Sequence, residues 1–557
     1  METKLFSVFH NKFLLVCIIV LSLIVHFYQI NKIPASLYWD EVAVGYNAYS
    51  ILHTGRDEYG NKFPILFESY HDLKMPVFVY LSTVSIAVLG LNELAIRFPS
   101  AFFGVIGVIF LYFLIKNLDF RDQNEKTYLA LLSAFFLAIS PWHIIFSRTG
   151  YEANIALTLL IIGFYFFYKG LRQSWYFLIS AIFYVVACYC YRSSLIFVPF
   201  FVTFLTVHFF SDLKKIELKQ LLFSIVFFIF LLLPLVSVLA KGGDTRFSQV
   251  SIFSNVSDKS IANNQKMIES GNALFAKLIF NRRMVYVNEA LTGYFSHFRP
   301  DFLFVSGDGN LRHTVRGAGL LYLWQLPLLI LGIPFLLKKN RKFTISMIVW
   351  LLISPVSASL ALPVPHALRV MPMVVPLVVF SAAGLLSIFS LLKNTKIVYL
   401  FKLASFFVIF LSFITFLKLY YVHNTQISNS EWGDGYKQLV QRIGAISNKY
   451  DKVIISGHYW QPYMYALFYL RFDPALYQEH GTSVAFDKYI FGGTDWDKRV
   501  GRSELGNVDL RNYAGRAKNI LVALSPQEYI AQQDKVKKID EVKDSNGKVV
   551  FILAYLN

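Results

Sequence analysis

Apolar runs of about 18–25 residues recur along this chain, each long enough to cross the roughly 30 Å hydrocarbon core of a bilayer as a helix. That recurrence excludes a soluble globule. In lipid every backbone N–H and C=O needs an internal partner, so the runs must be helical and the chain polytopic. Composition agrees, since 55% of the 557 residues are hydrophobic and only 16% are charged. Eleven spans are predicted, over residues 13–30, 95–115, 128–146, 151–168, 174–191, 193–210, 221–240, 317–337, 343–362, 369–392 and 397–421. The first carries no small-residue cleavage site after it and reads as an uncleaved span.

The net charge of +18 would suit nucleic acid, but the basic residues fall mainly in short loops between apolar runs. There they set orientation and meet anionic lipid, so the bilayer is the expected partner and nucleic acid is not. Lys4 and Lys12, Lys116 with Arg121 and Lys126, Lys169 with Arg172, Lys214, Lys215 and Lys219, Lys338 to Lys342, and Lys393 with Lys396 are all cytoplasmic in one arrangement. It places the chain in the cytoplasmic membrane, N-terminus inside and C-terminus outside. The apolar run Pro76 to Leu91 breaks this alternation if it crosses, and it is short for a span. It reads as a helix lying in the outer interface.

Residues 1–421 thus form a transmembrane domain with two long outer loops, 31–94 and 241–316. Residues 422–557 change in composition and read as a soluble outer α/β domain, with strands at 453–456, 519–524 and 549–556 and helices at 435–447 and 526–533. No phosphate-binding glycine motif or nucleophile elbow marks it, so it reads as a lid or acceptor-docking module. Cys17, Cys188 and Cys190 lie inside apolar runs, without the spacing of a metal site.

Chemistry-bearing side chains gather in the outer loops. Asp40 and Glu41 open a helix that Gly55 closes; they either cap it or present carboxylates at the membrane surface. His71, Asp72 and Lys74 precede the interfacial helix, and Arg97 opens the second span. Arg148 and Glu152 flank the turn between the third and fourth spans, at the spacing of an i,i+4 pair, and Arg192 follows the fifth. Arg97 and Arg192 have the alternative of reaching to lipid headgroups. Arg312, His313 and Arg316, among glycines, and Arg369 after Pro363 to Leu368 add cations at the same depth. The expectation is an outer cleft with carboxylates on one wall and cations on the other. Such a cleft suits glycosyl transfer from a polyprenyl-phosphate sugar: a carboxylate takes the acceptor's proton while cations stabilise the departing phosphate. A lipid-linked substrate transporter, or an oligosaccharide ligase with a diphosphate donor, would use the same features. Asp301 and Asp308 lack the dense oxygen-ligand spacing of a calcium loop. No cofactor is firmly implied; a divalent metal is compatible with the site but is not predicted.

Several motifs carry a family resemblance: Tyr38-Trp39-Asp40-Glu41, Asp72-Leu73-Lys74-Met75-Pro76, Arg97-Phe98-Pro99-Ser100-Ala101, and Ser140-Pro141 followed by Ser147-Arg148 and Glu152. In this order the chain resembles the GT-C superfamily of integral-membrane glycosyltransferases, in the branch of protein O-mannosyltransferases and lipid A aminoarabinose transferases. The resemblance covers about the first 200 residues, and 294–317 and 366–376 more loosely. It implies that Asp40 is the catalytic base, with Glu152 a second acid near the site and Glu41 a support. It also implies that Lys74 and an outer arginine bind the donor phosphate, that Arg97 matches the arginine opening the second span, and that transfer inverts the anomeric centre; Lys74, Arg97, Arg312, His313, Arg316 and Arg369 are the expected donor-phosphate residues. Leu73 stands where the aminoarabinose enzymes carry glutamate, which argues against a metal site of their type. The sugar, and whether the acceptor is glycan, lipid or protein, stay open.

Overall fold

The computed structural model describes residues 2–70, 72–242, 251–253, 265, 268–269, 282–392, 394–482, 484–492, 505 and 509–556. His71, Lys393 and most of the polar stretch 241–271 lie outside them. The chain divides into two compact units. One, here the helical unit, comprises 1–28 and 100–420; the other, the mixed unit, comprises 29–99 and 421–557.

In the helical unit, α1 (Glu2–Phe27) is followed, beyond residue 99, by the body of α4 (Glu93–Lys116), then α5 (Gln123–Ile139), α6 (Pro141–Ser147), α7 (Glu152–Gly170), α8 (Tyr176–Cys190) and α9 (Ser194–His208). Further helices Leu218–Gly242, Arg341–Ile353, Val374–Leu391 and Thr395–Lys418 come later. Among the described residues, six helices are long and apolar enough to cross a membrane, and a bent pair makes a possible seventh. This is a multi-pass membrane protein.

The predicted span 128–146 is that bent pair: α5 and α6 meet at 58°. Ser140 and Pro141 cause the break. Proline has no N–H to donate to the preceding turn, and the Ser140 hydroxyl caps the new helix by accepting from the His143 N–H at 3.5 Å. The span predicted from residue 317 begins instead at Gln325. Residues before it are drawn into other pairings: Leu320 O accepts from Trp142 N–H at 3.1 Å, and Leu321 N–H donates to Leu303 O at 2.8 Å. The helices Gln325–Lys339 and Val374–Leu391 then meet backbone to backbone. A Cβ on Gly332 would lie 1.9 Å from Phe380 O, and one on Gly384 2.0 Å from Leu328 O. Small residues allow such an approach where lipid offers no hydrophobic drive for association.

The mixed unit begins with α2 (Trp39–Thr54), a hairpin of β1 (Phe67–Ser69) and β2 (Asp72–Lys74), and α3 (Pro76–Leu89). With 14 residues α3 is about 21 Å long, too short to span a bilayer upright. The later part holds a six-stranded sheet of β3 (Lys452–Ile455), β4 (Ala485–Phe486), β5 (Tyr489–Phe491), β6 (Ile520–Leu524), β7 (Val536–Lys543) and β8 (Val549–Leu556). Its order is β4-β5-β3-β6-β8-β7, with β3 parallel to β5 and β6 and the remaining pairs antiparallel. Ile454, Leu510, Val522, Leu524, Val536 and Leu556 fill its core. The strands expected at 453–456, 519–524 and 549–556 are β3, β6 and β8, all interior; the short interior strand β5 is not among those expected. β7, with Lys537, Lys538, Asp540, Glu541 and Lys543, escaped the hydrophobic pattern because it is a charged edge strand, the usual guard against edge pairing.

Candidate active site

In the mixed unit the site grows from the first turn of α2. Tyr38 is extended, and its N–H donates to Glu41 Oε2 at 3.2 Å, fixing where the helix begins. Gly55, at φ 67°, ends it with an N–H bonded to Ile51 O. Successive helical residues are rotated by about 100°, so Asp40 and Glu41 face different surroundings.

Glu41 points inward to Arg97, and neither side chain is exposed. Arg97 Nε donates to Glu41 Oε1 at 3.0 Å and Nη2 to Oε2 at 3.3 Å. Its remaining donors reach Ile30 O at 2.9 Å, Pro34 O at 3.0 Å and Ser36 O at 2.5 Å. All five guanidinium N–H groups are thereby engaged, and the Trp432 ring lies 5.8 Å from the guanidinium carbon. Arg97 had been expected to bind donor phosphate; here it clasps the 30–36 loop to α2 and α4.

Asp40 turns outward, with 34% of its side chain exposed, and forms an ion pair with Lys74, which is 14% exposed. Lys74 ends β2, opposite Phe67 of β1. Hairpin and helix are joined below the pair by a buried polar cluster. Ser69 Oγ donates to Glu58 Oε1 at 2.7 Å, Asn47 Nδ2 reaches Ser69 Oγ at 3.1 Å, and Glu58 N–H donates to Asn47 Oδ1 at 3.0 Å. Burial pushes the Glu58 carboxyl from the usual 4.5 up to about 8, despite the hydrogen bonds from Ser69 and Asn47. It is therefore largely protonated at neutral pH. Tyr70 O–H donates to Trp39 O at 2.9 Å, and the Tyr70 ring lies 5.6 Å from Lys74 Nζ.

The C-terminal residues complete this frame. Tyr465 O–H donates to Leu37 O at 3.0 Å, and Gln478 Nε2 bonds Ser50 Oγ, Thr54 Oγ1 and Asp57 O at 2.8–3.0 Å. Trp460 stacks on Trp39 with centroids 6.0 Å apart and planes at 26°. A Cβ on Gly45 would meet the Phe468 ring at 2.5 Å, so glycine is what lets the helix Pro462–Leu470 seat on α2. No motif announced these contacts, because they join positions roughly 400 residues apart.

The remaining expected residues belong to the helical unit. Arg148 is buried where α1 ends: Nη1 donates to Val25 O and His26 O, Nη2 to Tyr28 O, and Nε to Tyr420 Oη. It satisfies the carbonyls left open by that helix end. Glu152 opens α7 and is partly exposed. Arg316 is exposed and Arg312 partly so. Arg369 holds the 361–363 turn, donating to Ala361 O at 2.6 Å, Leu362 O at 3.1 Å and Pro363 O at 3.3 Å.

His313 is buried against the Phe146 and Tyr151 rings and bonds Asp308 Oδ2 through Nδ1 at 3.3 Å. Asp308 also accepts from Asn310 N–H at 2.9 Å and Ala367 N–H at 2.6 Å. Burial alone would raise its carboxyl pKa, but the hydrogen bonds it accepts from His313 and from the Asn310 N–H hold it below the usual carboxylate range. His366, from the 363–369 turn, packs its ring 4.9 Å from that of His313. The sequence reading placed His366 only within a turn and gave it no role.

Comparison with known proteins bears on the fold. Residues 74–237 match the family described as dolichyl-phosphate-mannose-protein mannosyltransferase. No curated protein sequence matches the chain. The fold is similar to that of ArnT from Cupriavidus metallidurans, solved in the apo state and bound to undecaprenyl phosphate, at TM-score 0.54, 10% identity and 97% coverage of each chain. It is also similar to the oligosaccharyltransferase AglB from the archaeon Archaeoglobus fulgidus, in complex with an inhibitory peptide and a dolichol-phosphate. There the TM-score is 0.52 and identity 13%, over 98% of this chain and 74% of that one. The chain has the fold of a GT-C membrane glycosyltransferase. It resembles the protein mannosyltransferases in sequence over 74–237 and ArnT in fold over nearly its full length.

Proposed function

We propose that the protein transfers a sugar from a polyprenyl-phosphate donor to an acceptor on the outer face of the cytoplasmic membrane. In this reading it has eleven spans, its N-terminus inside and residues 422–557 outside, as the lysine and arginine distribution favours. The observation that carries the reading is Asp40: a carboxylate at a helix N-terminus, partly open, paired with Lys74 and held on a clasped frame. The family match from residue 74 and the two folds solved with polyprenyl phosphates support it.

Asp40 acts as general base. As the acceptor oxygen forms its bond to the anomeric carbon, its proton passes to Asp40; the bond from that carbon to the phosphate oxygen breaks, and polyprenyl phosphate leaves with the electron pair. The single displacement inverts the anomeric centre. Lys74 pairs with Asp40 before substrate binds and offers its ammonium to the donor phosphate. Arg312, His313, Arg316 and Arg369 are further proposed donor-phosphate ligands and Glu152 a proposed second acid, while Glu41 and Arg97 form the frame around Asp40.

The test is transfer, in detergent or liposomes, from a panel of radiolabelled polyprenyl-monophosphate sugars, following released lipid phosphate in wild type and Asp40→Asn. Asp40-dependent release establishes the activity and identifies the sugar. Release only from diphosphate-linked oligosaccharides would mark a ligase, and movement of labelled lipid between leaflets without release would mark a transporter.

A further inference from the structure

Beyond glycosyl transfer, we propose that Asp308, His313 and His366 form a divalent-metal site of the zinc class, which ties the 301–316 loop to the 363–369 turn. Their potential ligand atoms, one from each side chain, lie within 4.8 Å of one another. A tetrahedral zinc ion sets its N and O ligands about 3.3–3.4 Å apart, so a modest inward turn of the rings completes the set. Two imidazoles and a carboxylate are a donor set that zinc and its first-row neighbours favour over magnesium or calcium.

A separate observation points the same way. His366 Nδ1 is buried, has no hydrogen-bond partner among the described residues, and lies 4.0 Å from Asp308 Oδ2. A buried polar atom left in that state is costly, and an ion held between the two atoms supplies His366 Nδ1 with its missing partner. The ligands are also oriented from behind. His297 Nδ1 bonds Gly293 O at 2.7 Å, which leaves Nε2 to accept the His366 N–H at 3.1 Å. The Asn310 and Ala367 N–H groups hold the Asp308 carboxylate. Outer hydrogen bonds of this kind fix ligand geometry in metal sites. The ion would cross-link segments that carry Arg312 and Arg369 on either side of the ligands. Three protein ligands leave a fourth position for water.

The experiment uses full-length protein in detergent, with any affinity tag removed and bound metal stripped. Titration with Co2+ should show visible d–d absorption saturating at one equivalent, displaced by Zn2+, and Zn2+ should raise the melting temperature of the stripped protein. His366→Ala and Asp308→Asn should each weaken Co2+ binding at least 10-fold and abolish the Zn2+-dependent shift, while melting as the stripped wild type does without metal. A stripped wild type that takes up no Co2+ and whose melt ignores Zn2+ overturns the proposal whatever the variants do. Unchanged Co2+ affinity in both variants overturns it as well.

Discussion

Asp40 and Glu41 are consecutive carboxylates on one helix turn, and they end in opposite surroundings. Glu41 meets Arg97 in a fully buried pair whose guanidinium donors are all engaged. Asp40 meets Lys74 at a partly open edge where a second molecule can reach it. A buried pair is worth little compared with an apolar substitute but is costly to break on one side, so it specifies geometry. A half-open pair can exchange partners. The closed pair holds the open one in position, and the proposed catalytic base sits on the open one.

The largest effect that would break this contrast is at the open pair. Asp40→Asn should reduce transfer by about 10²- to 10⁴-fold, the range for removing a general base, and leave the melting temperature near wild type; an active mutant removes the assignment. Arg97→Ala should do the reverse in kind, destabilising the fold by about 3–5 kcal/mol, read as loss of folded protein in detergent. Arg97→Lys should not restore it, since an ammonium lacks the planar five-donor fork. Stable, active protein from Arg97→Ala would end the division of roles.

Smaller changes sharpen it. Gly45→Ala places a methyl against Phe468 and should cost about 1–3 kcal/mol by overpacking, measured as a lower melting temperature that Phe468→Leu partly restores. Lys74→Ala should lower kcat/KM for the donor by about 10-fold, close to 1.4 kcal/mol, with a smaller change for the acceptor; the opposite split counts against a phosphate role. Glu58 gives the finest test. Its folded pKa, about 8, lies above the unfolded 4.5, so the folded state holds a proton that the unfolded chain has already lost. The stability this contributes is full below pH 4.5 and is lost as pH rises to about 8. Glu58→Gln should flatten that decline, with melting temperature followed from pH 5 to 8; identical slopes in both proteins would show that Glu58 does not titrate there.

Much of the fold was legible because its signals are local. Apolar runs, Gly55 at a helix end and strands β3, β6 and β8 of the later sheet each follow from a few adjacent residues. Asp40, Lys74 and Glu152 stood out as charges beside a membrane, where charge needs a reason. Partner choice was less legible. Arg97 looked like a phosphate ligand because nothing near it in sequence discloses the carbonyls of Ile30, Pro34 and Ser36. Glu58 lay unremarked beside Asp57, and His366 looked like an ordinary turn residue until Asp308 and His313 stood next to it. β7 failed the hydrophobic test because only one of its edges is paired.

The sequence by itself determined that this chain inserts in a membrane, roughly where most of its long helices lie, and which carboxylates and cations to consider for the site. Those properties depend on hydrophobic length and local backbone chemistry. Tertiary structure alone decided which of two adjacent acids is buried and which is open, and which distant cation each one meets. A hydrogen bond or ion pair depends on distances of a few ångströms between segments hundreds of residues apart, and only the folded chain sets them.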